Sequence, residues 1–224
     1  MTTRTKAKHA AAQKAATLIE SDMIVGLGSG TTSQFFIEAL GAKIKEGLKI
    51  QAVASSHSSA KMAQKFAIAL IDIDQAPHID LTVDGADAID PERRMIKGGG
   101  GALLREKILA HASRDIVIIV DETKLVPSLS SLLLPIEIVT YGAHITQKTL
   151  QKMGYLGQWR KDEQGALYRT ENGHLILDTK FQSTPEKAQQ EIKSIPGVVE
   201  TGFFFHMAKR VIVGASDGSS HWLS

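Results

Sequence analysis

The sequence predicts an α/β protein whose mostly parallel sheet is flanked by helices, with a smaller α+β domain inserted before the last strand of that sheet. Two observations predict it. Across the first 130 residues short apolar runs alternate with helix-like stretches, the pattern of a parallel sheet covered on both faces. From Leu132 onward the order changes to strand, helix, hairpin, helix, strand. The length agrees: 224 residues make about one and a half domains at ~150 residues each. The expected division is residues 1–130 plus 207–224 for the larger domain and 131–206 for the smaller, with no internal repeat and no low-complexity linker.

The elements follow in order. Residues 6–20 are Ala-rich and favour helix. Residues 23–27 form an apolar run that stops at Gly28-Ser29-Gly30, a first strand. Phe36, Leu40 and Ile44 recur every fourth residue and mark one helix face. Residues 50–54 read as a second strand, and Ser58 is placed to cap a helix carrying Met62 and Phe66. Residues 70–73, 79–83 and 116–120 are further short strands, with a helix over about 102–111 before the last. In the inserted part, residues 135–140 read as strand and 146–153 as helix. Residues 167–169 and 175–178 flank Asn172-Gly173, a strong hairpin signal. Thr184-Pro185 opens a helix with Thr as N-cap and Pro at its first position. Residues 198–205 and 211–214 finish as strands.

Composition excludes several classes. The chain is 43% hydrophobic and 22% charged, with 5% aromatic residues, ordinary for a globular protein. Lys and Arg number 26 against 24 Asp and Glu, a formal charge of +2 that implies no nucleic-acid partner. The absence of Cys excludes disulfides, cysteine nucleophiles and thiolate zinc sites, and is compatible with a reducing cytoplasm. No run reaches the ~18 apolar residues of a membrane span, and the basic first 22 residues lack the apolar stretch of a signal peptide. A cytoplasmic protein without a membrane partner is expected.

Four stretches carry candidate chemistry. Gly26-Leu27-Gly28-Ser29-Gly30-Thr31-Thr32 lies between a strand and a helix, where backbone N–H groups and hydroxyls suit a phosphate. No Lys stands where a nucleotide P-loop needs one, and Thr31 or Ser33 replaces the third Gly of a dinucleotide fingerprint. The second strand also runs into Ser55-Ser56-His57 rather than an acid. Phosphate binding competes here with an ordinary glycine turn. Asp84-Gly85-Ala86-Asp87 follows another strand; its two carboxylates could bind sugar hydroxyls, move protons or hold a metal, and an Asx-turn is an equal reading.

Lys97 precedes four glycines, Gly98 to Gly101, a loop either flexible or shaped around a ligand. Lys97 offers a cation there, and the amides offer oxyanion donors. Glu106 lies on the following helix, on a partly apolar stripe with Leu103 and Ala110. Desolvation there would raise its pKa towards that of a useful base, although a single helix Glu near the N-terminal dipole reads more readily as solvated. Asp121-Glu122-Thr123-Lys124 ends a fourth strand, and Lys124 would share that sheet edge unless it is a plain surface lysine. The eight His show no metal-binding spacing and are taken as non-catalytic.

Together, in this order and spacing, the four motifs resemble ribose-5-phosphate isomerase of type A. The match continues through Glu-Asn-Gly-His-Leu-Ile-Leu-Asp at 171–178, Ile-Pro-Gly-Val-Val-Glu-Thr-Gly at 195–202 and Gly-Ala-Ser-Asp-Gly at 214–218, and so covers nearly the whole chain. Asp-Gly-Ala-Asp followed by Lys-Gly-Gly-Gly and Arg-Glu-Lys is its most specific part.

The resemblance implies reversible conversion of ribose 5-phosphate to ribulose 5-phosphate in the pentose phosphate pathway, with no metal or organic cofactor. It implies a Rossmann-like domain beside a smaller α+β domain, and a homodimer or homotetramer. It also implies that the substrate phosphate meets Ser29, Gly30, Thr31 and Thr32, with Lys124 as a nearby cation and, through a looser match, Lys8. Asp84 and Asp87, with Gly85 and Ala86 between them, would bind sugar hydroxyls and assist ring opening. Lys97 and the amides of Gly98, Gly99 and Gly100 would stabilise an enediolate, and Glu106 would be the base. Two departures stand out: Ala88 where the family often has Glu, and Gly101 extending the glycine run. Both bear on loop order more than on reaction type.

Two other classes are weighed. An amino-sugar-phosphate isomerase or deaminase would share the phosphate loop. A sugar-phosphate sensor would be expected to carry a helix-turn-helix, for which the residues before the first strand are too few, and would not need Glu106, Asp84 and Lys97.

Overall fold

The computed structural model describes residues 2–223. In chain order the first elements are α1 (Thr3–Ala16), β1 (Ile24–Leu27), α2 (Gly30–Lys45), β2 (Gln51–Ala54), α3 (His57–Lys65), β3 (Ala69–Leu70) and β4 (Ile79–Asp84). Then come β5 (Ala88–Ile89), β6 (Met95–Ile96), α4 (Leu103–Ala112), β7 (Ser113–Asp121), β8 (Leu134–Ile138) and α5 (Ala143–Lys152). The chain ends with β9 (Gly157–Trp159), β10 (Leu175–Thr179), α6 (Pro185–Lys193), β11 (Val198–Thr201), β12 (Phe203–Phe204), β13 (Arg210–Gly214) and β14 (Ser220–Trp222). Two compact units result: Met1–Ala86, Arg105–Leu125 and Phe205–Ser224 form the first, and Asp87–Leu104 with Val126–Phe204 the second.

The first unit is built on a seven-stranded sheet ordered β14-β13-β7-β4-β1-β2-β3. Every pairing is parallel except that of β13 with β14. β1 is buried at all four positions, as a parallel strand covered on both faces must be. Phe36, Ile37 and Leu40 of α2 pack with Ala11, Ala12 and Ala15 of α1 over Val25, Leu27, Val83 and Val117. The alanine face lets α1 come close: a side chain at Gly214 would run into the Ala7 carbonyl. A second cluster joins Leu109 of α4 to Ile24, Val53 and Ile79.

Chain order places the ligand edge. From β1 the chain goes to β2 and β3 on one side, then returns to β4 on the other. In open α/β sheets the crevice outside the carboxyl ends at such a switch is where ligands bind. Here it is bounded by Gly28-Ser29 after β1 and Asp84-Gly85 at the end of β4, since Leu27 pairs with Val83.

The second unit has an antiparallel sheet, β11-β8-β10-β9, and a small one, β12-β6-β5. Thr184 caps α6 by accepting from the Lys187 N–H, with Pro185 in the first turn, as the sequence predicts. The pairs Ala88↔Ile96 and Phe203↔Ile96 draw residues 87–104 into this unit, whereas the expected division keeps them with the larger domain. Two-residue strands, one of them paired across more than a hundred residues, leave no local signal.

Other expectations need correction. The insertion precedes two strands of the main sheet, not one, because β14 turns back against β13 through Gly218 (φ +93°). Ser56, not Ser58, caps α3, and Phe66 follows that helix rather than lying in it. Of the 70–73 region only Leu70 is strand, as the second residue of β3, and Ile73 opens a single 3₁₀ turn. Asn172-Gly173 does turn the chain, with the Thr170 N–H bonded to the His174 carbonyl at 2.9 Å. Before it only isolated bridges form, because β10 takes β8 and β9 as its ladder partners.

Phe36 is fully buried in the main core. Phe36→Ala is expected to lower unfolding free energy by about 3–5 kcal/mol through lost transfer energy and a residual cavity. Tyr141→Ala, at a side chain 94% exposed, should change it by only about 0.5 kcal/mol. Urea unfolding of both variants checks the contrast.

Candidate active site

In the first unit the site begins with a buried carboxylate. Asp84, 3% exposed, accepts at Oδ1 from the Ser29 N–H (3.1 Å), the Ser33 hydroxyl (3.3 Å) and its own following Gly85 N–H (2.7 Å). A side chain at Gly28 would strike this carboxylate and lie 2.6 Å from the Asp84 Cα, and one at Gly26 would strike Thr82. These glycines serve close strand approach first.

Ser29 is the N-cap residue of α2, yet its side chain makes no cap hydrogen bond. Its hydroxyl lies 2.9 Å from the Ser55 hydroxyl. Ser55 in turn donates to the Leu27 carbonyl (2.9 Å), and Ser59 to the Gly28 carbonyl (2.6 Å). The first turn of α2 therefore presents Gly30 (φ +86°), Thr31 and Thr32 with no cap side chain over it, the arrangement that suits an anion. Ser55 and Ser59 were not among the residues assigned from sequence. A signal for them exists in the Ser-Ser-His-Ser-Ser stretch that runs from the end of β2 into the first turn of α3.

Cations gather at this end. The Lys8 ammonium donates to the Thr31 hydroxyl at 2.6 Å. Burial lowers the Lys8 pKa, as do the positive charges of Arg4 and Lys124, while Asp121 opposes them. Arg4 lies 3.4 Å from Asp121. Burial works to raise the Asp121 carboxyl, but hydrogen bonds from Thr123 and the Arg4 charge outweigh it and hold it below its usual range. Lys124, half-buried on the turn Glu122–Lys124, is thus close enough to be felt by Lys8. Glu106 on α4 is 6% exposed, which removes the reading of a solvated helix carboxylate.

In the second unit, Lys97 is 4% exposed, with its ammonium 5.4 Å from the centre of the Phe204 ring. Its N–H donates to the Gly202 carbonyl at 2.9 Å, and a side chain at Gly202 would strike the Lys97 carbonyl. Gly98 to Gly101 form an ordered turn closed by the Gly101 N–H on the Gly98 carbonyl (3.0 Å). Gly98 (φ +108°) and Gly101 (φ +80°) need the left-handed region, and a side chain at Gly101 would strike Tyr168. The extra glycine is thus required by the turn. The Gly99 N–H donates to Asp87 Oδ2 at 2.7 Å. Ala88 is buried in β5. Among the described residues, no three His, Asp or Glu cluster as metal ligands would, and no helix is long and apolar enough to cross a membrane.

Residues 51–218 match the family model described as ribose 5-phosphate isomerase A (phosphoriboisomerase A). A ribose-5-phosphate isomerase A of Protochlamydia amoebophila is 46% identical over 216 residues, covering 95% of this chain and 93% of the relative. One from Oceanobacillus iheyensis is 43% identical over 220 residues, covering 97% and 98%. Among solved structures, a D-ribose-5-phosphate isomerase in complex with phospho-erythronic acid superposes with a TM-score of 0.91 at 35% identity, covering 97% of each chain. The isomerase A of Neisseria gonorrhoeae gives 0.90 at 35% identity, covering 100% and 98%.

An anion docked at Thr31 would favour the charged form of Lys8, so its binding takes up protons. Affinity for inorganic phosphate is therefore expected to fall as pH rises through the lowered Lys8 pKa, below 10.5. Folding prefers the neutral amine, so between that pKa and 10.5 the unfolded chain binds more protons and the stability contribution improves with pH. Calorimetric phosphate titrations of wild type and Lys8→Ala check this; an unchanged fall in the variant contradicts it.

Proposed function

The chain belongs to the ribose-5-phosphate isomerase A family and is an isomerase interconverting D-ribose 5-phosphate and D-ribulose 5-phosphate, and we propose that Glu106 is its catalytic base. The observation that carries this assignment is the burial of Glu106 on α4, the helix that follows the glycine turn. A carboxylate removed from water is a stronger base than one in solvent.

Glu106 takes the proton from carbon 2 of the open-chain aldose, which gives an enediolate, and returns it to carbon 1. The hydroxyl proton passes from oxygen 2 to oxygen 1, so one base suffices and nothing is consumed. Lys97 and the Gly98 and Gly100 N–H groups meet the charge that develops on the oxygens, where preorganised donors lower the barrier most, while the Gly99 N–H holds Asp87. Asp84 and Asp87, with the Gly85 and Ala86 backbone, hold sugar hydroxyls and assist ring opening. The phosphate docks on Ser29, Gly30, Thr31 and Thr32 with Lys124 and Lys8. Its binding energy positions the sugar without entering the chemistry. A solved relative binds phospho-erythronic acid, a phosphorylated polyhydroxy acid, which supports a ligand of this class. A homodimer or homotetramer completes the reading, supported by the exposed Ile145 and Leu156, and the Cys-free sequence fits a reducing cytoplasm.

Glu106→Gln keeps the side-chain shape but cannot accept a proton from carbon. Its kcat should fall by at least about 10²–10⁴-fold with little change in substrate affinity. Turnover within about tenfold of wild type, with substrate bound, removes Glu106 as the base.

Activity is also expected to persist in excess EDTA, because Lys97 supplies the positive charge that a metal would otherwise bring. Loss in EDTA with recovery on adding a divalent ion would recast Asp84 and Asp87 as ligands.

A further inference from the structure

We propose that Arg160 is a positioning residue for the isomerisation: it clamps the glycine turn from behind and so aims its N–H groups. The proposal rests on the reading that this turn supplies the donors for the enediolate. Arg160 Nη1 donates to the Gly98 carbonyl at 2.6 Å and to the Gly99 carbonyl at 3.1 Å. The Tyr168 hydroxyl donates to the next carbonyl, that of Gly100, at 3.2 Å. Three consecutive carbonyls of the turn thus have side-chain partners, all from the segment between β9 and β10 or its edge.

The peptide unit is planar and trans, so a carbonyl and the N–H that follows it point in opposite directions. Fixing the Gly98 carbonyl on Arg160 therefore sends the Gly99 N–H the other way, where it meets Asp87 Oδ2 at 2.7 Å. Fixing the Gly99 carbonyl likewise orients the Gly100 N–H away from Arg160. Four glycines resist ordering more than any other residues, so the turn needs external anchors to be preorganised. The guanidinium also draws charge towards the carbonyl oxygens, which makes the N–H groups of the same peptides stronger donors.

Arg160 is itself held. Its Nε and Nη2 pair with the two oxygens of Asp178 at 2.9 and 2.5 Å, and its guanidinium lies 6.0 Å from the Tyr168 ring centre. The turn between Tyr168 and Asp178 is tied to β8 through the fully buried Glu137, whose Oε1 accepts from the Thr170 hydroxyl (2.9 Å) and the Asn172 amide (3.2 Å) and lies 2.9 Å from His174 Nδ1. The 171–178 motif, to which the proposed chemistry gives no role, thus becomes the frame of the clamp.

The test compares wild type with Arg160→Ala, Arg160→Lys, Asp178→Asn and Tyr168→Phe. In Arg160→Ala, kcat for ribose 5-phosphate is expected to fall by about 10–100-fold, as for a weakened oxyanion donor. Competitive inhibition by inorganic phosphate should stay within about twofold of wild type, since it reads binding rather than transition-state stabilisation. Added guanidinium should restore part of the activity of Arg160→Ala and none of that of Glu106→Gln. Adding Asp178→Asn to Arg160→Ala should cost little more, because the two act as one unit. Arg160→Lys keeps the charge but cannot span two carbonyls and a carboxylate, and it should show the same split; with Tyr168→Phe it carries the test if Arg160→Ala does not fold. A wild-type protein that fails to isomerise overturns the functional reading. An active wild type beside an Arg160→Ala or Arg160→Lys variant with unchanged kcat, or with turnover and phosphate inhibition lost together, overturns the clamp alone.

Discussion

One carboxylate holds the first unit's ligand edge in shape. Asp84 ends β4, and its Oδ1 accepts from the Ser29 and Gly85 amides and from the Ser33 hydroxyl. Burying a charge is costly unless hydrogen bonds replace water, and these three donors do so at Oδ1. Their geometry fixes where β1 ends and α2 begins. It also explains why Gly28 carries no side chain, since any would occupy the space of the Asp84 carboxylate. The serines beyond β2 extend the same logic: Ser55 and Ser59 satisfy the Leu27 and Gly28 carbonyls, and Ser29 is drawn to Ser55 instead of capping its own helix. A helix start left without a cap is an unfavourable arrangement on its own, and it makes sense where a ligand completes it.

The second unit solves the same problem by other means. In the first unit, backbone amides are placed by strand ends and a helix start. The Gly98–Gly101 turn lies in neither, and only one backbone bond closes it. Side chains must therefore define its peptides, and Arg160, Tyr168 and Asp87 do so from 61, 68 and 12 residues away in sequence. Glycine makes this possible because two of the four positions need positive φ, and Tyr168 occupies the space a side chain on Gly101 would need.

This division of labour also explains what the sequence revealed. The parallel sheet and the motifs at its strand ends were legible because residues 24–27, 52–54 and 116–120 are apolar runs, and 79–83 an alternating one, that stop at Gly, Ser or Asp. The α6 start was legible because Thr184-Pro185 is a local signal with a local cause. β14 was not, since Ser220–Trp222 has no apolar period and exists only because Gly218 returns the chain to β13. The grouping of residues 87–104 was hidden for a similar reason: β5, β6 and β12 are two residues each, and their pairing is a tertiary choice. Glu106 is legible as a candidate through its motif, but only its burial on α4 separates it from a solvated glutamate. Arg160 gave no signal, because nothing about an arginine after a tryptophan points to a glycine turn 61 residues earlier.

Charge is arranged on the same local scale. A formal +2 over 224 residues gives little net attraction for a polyanion. Yet Arg4, Lys8 and Lys124 are near enough for Lys8 to feel both of the others. Burial is the largest cause of the lowered Lys8 pKa, and repulsion from Arg4 and Lys124 adds to it. Asp121 moderates that repulsion: it pairs with Arg4, opposes the shift at Lys8, and is kept ionised by Thr123 and Arg4. What remains is a compact excess of positive charge beside Thr31, the first-turn residue that Lys8 touches. Such an excess sits beside one hydroxyl at the start of one helix, so its effect is set by where the charges lie rather than by how many there are.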